Sequence, residues 1–205
     1  AGVGSVQEGD KMCQPGSYSR SISWLNRQYD LGYTWDSVNE TASQQSQAVY
    51  NDLATAFGAH GTRTYDEKLG IKDKYLKGLN AKAETKVLDL TNSIAAVDGV
   101  TEETGVDLVE WLLRELPTKD VEMHYGGHIV CVTGMYQSGG KWFIKFRDDE
   151  YQGDDSRGDT AEKTGELRKN ADGTYSFRDG GTNRPWGTVR VAISESVVPA
   201  TRITV

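Results

Sequence analysis

The feature that most constrains the fold is a change of hydrophobic period at Pro117. Before it, apolar residues recur at helical spacing: Tyr18, Ile22, Leu25 and Tyr29 are four, three and four positions apart. Val49, Leu53 and Phe57 repeat the pattern ahead of Gly58, a natural helix stop. A further helix is predicted from Thr104 as its cap, with Val106, Val109, Leu113 and Leu116 on one face and Pro117 as its end. After Pro117 the period falls to two, and Val121, Met123 and Tyr125 alternate with polar neighbours up to Gly126-Gly127. Residues 128–133 and 141–147 read as a hairpin joined through Gln137-Ser138-Gly139-Gly140, with further strands at 174–178, 188–193 and 202–205. Between 61 and 98 the pattern is mixed, with short helical pieces at 71–79 and an apolar run at 87–90.

Helices first and strands second predict an α+β chain. At 205 residues it fits one domain over 1–205, with a helical lobe of about 1–117 and a β lobe of about 118–205. The net charge of −7 and the scarcity of clustered Lys and Arg exclude a phosphate-neutralising nucleic-acid surface. No apolar run approaches the roughly 18 residues that a membrane span needs. Ala1-Gly2-Val3-Gly4 carries neither the basic start nor the apolar centre of a signal peptide, and reads as a trimmed mature end or an arbitrary boundary. Abundant Ser, Thr, Asp, Gly and Tyr suit a secreted or envelope-associated bacterial protein, with a cytoplasmic location left open.

Two cysteines, at 13 and 131, cannot build a disulfide framework or a four-ligand zinc site, so each is weighed singly. Cys13 stands where the first helix begins, and a helix N-terminus favours thiolate through its unpaired N–H groups. Gln7, six residues upstream, can offer a side-chain amide to an oxyanion. The stretch Gln7-Glu8-Gly9-Asp10-Lys11-Met12-Cys13-Gln14-Pro15 resembles the Gln-x5-Cys opening of papain-like cysteine peptidases, and its Cys-x-Pro continuation resembles the bacteriocin-leader (double-glycine) peptidase branch. Gly126-Gly127-His128-Ile129-Val130 is similar to that branch's Gly-His strand, and Lys141 to Asp148 to the strand that ends at its orienting Asp.

The resemblance implies a papain-like fold, with a nucleophile helix packed on a C-terminal antiparallel sheet. It also implies a thiol peptidase acting on a peptide or protein, with Cys13 as nucleophile, His128 as base, Asp148 orienting the base and Gln7 as oxyanion donor, needing neither metal nor cofactor. Acyl transfer of the transglutaminase type uses the same residues, and a non-catalytic binding module is the reading from a different class.

Strand alternation favours Asp148 over Asp149, because Ile144, Phe146 and position 148 share a face. Asn183, in Asn183-Arg184-Pro185-Trp186-Gly187, is a rival orienting residue that lies late in the chain. Cys131 is an odd number of positions from His128, so the two face opposite ways; if His128 faces Cys13, Cys131 faces away and packs in the core. His60 and His124 read as structural or surface residues. The acidic stretch 148–159 lacks EF-hand spacing and reads as a solvated loop, with calcium or a basic peptide as options. Asn39-Glu40-Thr41 fits a glycosylation sequon.

Overall fold

A computed structural model describes residues 13–29, 31, 42–58, 64–79, 81–92, 94–148, 162–180 and 185–199. The described elements are helices α1 (Cys13–Tyr29), α2 (Ala42–Phe57), α3 (Tyr65–Gly78) and α4 (Leu108–Glu115), and strands β1 (Ala81–Asp89), β2 (Val100–Glu103), β3 (Asp120–Tyr125), β4 (His128–Ser138), β5 (Lys141–Arg147), β6 (Lys163–Lys169), β7 (Tyr175–Asp179) and β8 (Gly187–Pro199).

Local chemistry sets several boundaries. Thr64 and Glu67 form a capping box at the head of α3, where the Glu67 carboxylate accepts the Thr64 N–H at 2.8 Å. Asp107, not Thr104, caps α4, its carboxylate accepting the Val109 N–H at 2.9 Å and the Glu110 N–H at 3.4 Å.

The strands form one sheet in the order β2-β1-β8-β3-β4-β5-β6-β7, and β8 also pairs with β7. That last pairing, Ser176 opposite Thr188 and Phe177 opposite Gly187, closes β3 to β8 into a six-stranded antiparallel barrel. Farther along, β8 pairs with β3 on one side and β1 on the other, so β1 and β2 extend from the barrel wall. Inside lie Val121, Met123, Tyr125, Val130, Val132, Ile144, Phe146, Leu167, Phe177 and Val189, joined by Leu108, Trp111 and Leu112 from α4. Phe177 meets Tyr125 and Phe146 edge-on, with ring centroids 4.7 and 5.5 Å apart. On the opposite face of the same wall, α1, α2 and α3 pack Tyr18, Ile22, Leu25, Leu53 and Leu76 together with Ile129 and Val197.

The papain-like architecture implied by the resemblance, helices on a C-terminal sheet, is therefore corrected to a closed barrel with four short helices among the described residues. Closure depends on two features that alternation does not reveal. The first is β6, Lys-Thr-Gly-Glu-Leu-Arg-Lys, which carries one large apolar residue and so no period-two signal. Its Gly165 makes room for the Phe177 ring, since a β-carbon there would overlap that ring and lie 2.6 Å from the Arg178 carbonyl oxygen. The second is the length of β8, thirteen residues that serve three partner strands in turn. In addition, β1 and β2 fall within the first 117 residues, so that part of the chain is not wholly helical. The strand predicted at 202–205 lies outside the described residues.

Candidate active site

Three elements deliver the candidate residues to one place. Cys13 is the first residue of α1 and is partly buried. His128 opens β4 directly opposite Tyr125, and their rings meet edge-on at 5.8 Å. Asp148 follows β5 in register with the buried Ile144 and Phe146, and is 2% exposed.

The turn that presents His128 is built from glycine for a steric reason. Gly126 and Gly127 have φ of +53° and +84°. The Gly126 N–H donates to the Thr188 carbonyl at 3.1 Å, drawing β8 up against the turn. A β-carbon on Gly187 would stand 3.0 Å from Gly126 Cα and N and from Tyr125 Cδ2, closer than side chains tolerate.

His128 Nε2 lies 2.8 Å from Asp148 Oδ1. Cys13 lies close enough to the ring to favour its protonated form, and since Nε2 is engaged with Asp148, Nδ1 is the nitrogen left for the sulfur. Burial works against protonation of His128, but the hydrogen bonds to Asp148 and Cys13 and the charges behind them outweigh it and raise its pKa to about 9. Burial pushes Asp148 up, yet the His128 bond and the positive charges of His128, Lys163 and Arg20 hold its carboxyl below the ordinary range. Lys163 Nζ stands 3.9 Å from Asp148 Oδ2. The set is a line: sulfur, imidazole, carboxylate, ammonium.

The other expected residues fall elsewhere. Cys131 does point to the face opposite His128, but it is Cys131 that looks toward the helices, beside Ile129, while His128 shares the barrel face with Tyr125 and meets Cys13 at the strand's end. Burial first, then the charges of Glu122 and Asp120, push the Cys131 thiol up to about 12, which leaves it inert as a nucleophile. His124 is the structural one of the two alternatives: it is buried, and burial, with Lys68 and His128 nearby, pushes it down to about 3, so it stays neutral. Gln7, Asn39, His60, Asp149, Asn183 and the loop residues 149–159 lie outside the described residues.

A second polar cluster, not expected from the sequence, lies on the helical face of the same strands. Lys72 of α3, wholly buried, places Nζ 2.9 and 3.0 Å from the two Glu122 oxygens and 3.4 Å from Asp120 Oδ2, and it pairs with Glu195. Ser21 of α1 accepts from the same ammonium at 3.0 Å and donates to Asp120. The Tyr18 ring lies against Nζ, 4.6 Å to its centroid. One ligand oxygen from each of the three carboxylates lies within 4.8 Å of the others, a spacing that suits a metal ion. The Lys72 ammonium supplies the cation instead. The signal for this cluster was a lysine in the apolar stripe Leu69, Lys72, Leu76.

The chain matches no known protein family, no curated protein and no solved structure. Among the described residues no helix is long and apolar enough to cross a membrane.

Proposed function

We propose that this protein is a cysteine peptidase that hydrolyses a peptide bond in a peptide or protein substrate through Cys13, His128 and Asp148. The observation that carries the reading is the convergence of Cys13, the His128 ring and Asp148 Oδ1, delivered by a helix start, a strand start and a strand end far apart in sequence. The sequence motifs around Cys13 and His128 support it independently.

Protonated His128, favoured at neutral pH, is the partner that a reactive thiolate needs beside it. The sulfur attacks the scissile carbonyl carbon, and the oxygen takes up negative charge. The backbone N–H of Cys13, in the first turn of α1 and so without an intrahelical acceptor, is placed to bind that oxygen. On the sequence evidence the Gln7 amide is the second donor. His128 then gives its proton to the departing amine, and the acyl-enzyme is released by a water molecule that His128 deprotonates. Asp148 holds Nε2 and so leaves Nδ1 as the nitrogen that exchanges the proton with the sulfur.

The test is a peptide-library cleavage profile of the native chain beside Cys13→Ala and His128→Ala, with alkylation by iodoacetamide mapped by mass spectrometry. Cleavage lost in both variants, and fast alkylation at Cys13 that slows in His128→Ala, supports the proposal. Identical cleavage by native chain and Cys13→Ala, or alkylation at Cys13 indifferent to His128, removes it.

A further inference from the structure

The side chains of β6 that face the barrel interior are those of Lys163, Gly165 and Leu167. Gly165 and Leu167 pair with the inward residues Ile144 and Trp142, and Lys163 pairs with Phe146. A lysine on that register, with a side chain 9% exposed, is costly to bury unless an anion meets it. One anion within reach is Asp148, whose Oδ2 is buried and has no hydrogen-bond donor among the described residues, while Oδ1 is committed to His128.

We propose that Lys163 is a positioning residue of the peptidase site: its ammonium faces the outer oxygen of Asp148 and limits how tightly that carboxylate binds the proton on His128. The proposal rests on the peptidase reading above for its purpose, not for its geometry. A general acid must release its proton to the departing amine, and one held too firmly is a poor donor. Asp148 and Cys13 both strengthen the hold on the His128 proton. The groups on the other side of the balance are cations: Lys163 on β6, and Arg20, a fully buried residue of α1 that also acts on Asp148. Two further neighbours among the described residues, Tyr125 and His124, do not supply that counterweight. Tyr125 presents its ring, and His124 is neutral.

The prediction has a sign. Removing the ammonium leaves the full charge of Asp148 to the imidazolium and removes cation–cation repulsion, so His128 keeps its proton to higher pH. Titration of the histidine ring signals by NMR reads this directly; the chain has three histidines, and His128→Asn identifies the signal. In Lys163→Met the midpoint for His128 should rise by roughly half a unit to one unit, and Lys163→Arg should restore it. If the cleavage assay supports the peptidase, the alkaline limb of kcat/KM should move up in parallel and kcat should fall by roughly threefold to tenfold. A midpoint in Lys163→Met that stays put or moves down overturns the proposal, whatever the state of the peptidase reading. A midpoint that rises in a chain that cleaves nothing upholds the coupling and discards only the peptidase.

Discussion

Strands β3 and β4 carry buried charge on both faces, and the two arrangements are opposites. On the helical face one ammonium, Lys72, sits among Asp120, Glu122 and Glu195, sealed beneath Tyr18 and closed to solvent. On the barrel face Lys163, Asp148 and His128 follow one another along a line that ends at Cys13, which is partly exposed. Buried charge by itself therefore does not mark a reactive site. What separates the two is access and balance. The first cluster spends its cation holding α1 and α3 to the barrel wall; the second sets an imidazole between two partners and, on the proposed reading, leaves the Cys13 sulfur at the open end.

The sharpest way to break this comparison is to remove one group from each cluster. Cys13→Ala should lower kcat/KM by at least about a thousandfold while the urea midpoint of unfolding hardly moves, because a partly exposed sulfur contributes little packing. Lys72→Met should do the reverse. It leaves Asp120, Glu122 and Glu195 without their cation, and breaking a buried ion pair of this kind costs about 3–5 kcal/mol, read from urea unfolding. Its remaining folded molecules should keep the native pH dependence of cleavage. A Lys72→Met protein as stable as the native one would mean that the helical cluster is not what pins α1.

A smaller effect is expected where β8 crosses the turn before His128. Gly187→Ala forces its new methyl against Gly126 and Tyr125, an overpacking that costs roughly 1–3 kcal/mol. Because Gly126 leads into His128, kcat should fall further than the loss of stability accounts for, with the shortfall visible at temperatures where the variant is fully folded by circular dichroism.

The two clusters also differ in how legible they were. Cys13 at a helix start, His128 after a glycine pair and Asp148 on an apolar strand face each left a local pattern, and short-range periodicity is what a single sequence carries best. The barrel was not legible, because its closure comes from Phe177 facing Gly187 and from a polar strand whose inward positions are Lys163, Gly165 and Leu167. Nothing local distinguishes such a strand from a loop. Lys72 was visible as an oddity in an apolar stripe, but its partners at 120, 122 and 195 are supplied by β3 and β8, and only the assembled sheet brings them together. The start of α4 was misread at Thr104 because two possible caps stand three residues apart, and the structure uses the one whose carboxylate reaches two N–H groups.

One further measurement tests both faces in a single titration. Glu122 is raised from 4.5 to about 8, by burial first and by Asp120 and Glu195 beside it, against the pull of Lys72. Between those values the unfolded chain has released a proton that the folded chain keeps, so stability falls as pH rises from 4.5 and the loss is complete above 8. His128, raised from 6.5 to about 9, behaves alike: its contribution is whole below 6.5 and gone once pH has climbed through 9. The lowered carboxyls, Asp107, Glu115 and Asp148, change charge at more acidic pH and do not enter this window. The urea midpoint should therefore decline steadily from pH 6.5 to 9, with a slope of at most about 1.4 kcal/mol per pH unit for each proton. Glu122→Gln should flatten the lower part of that decline and His128→Asn the upper part. A native midpoint that is level or rises across the range would show that neither face holds its proton as the geometry requires.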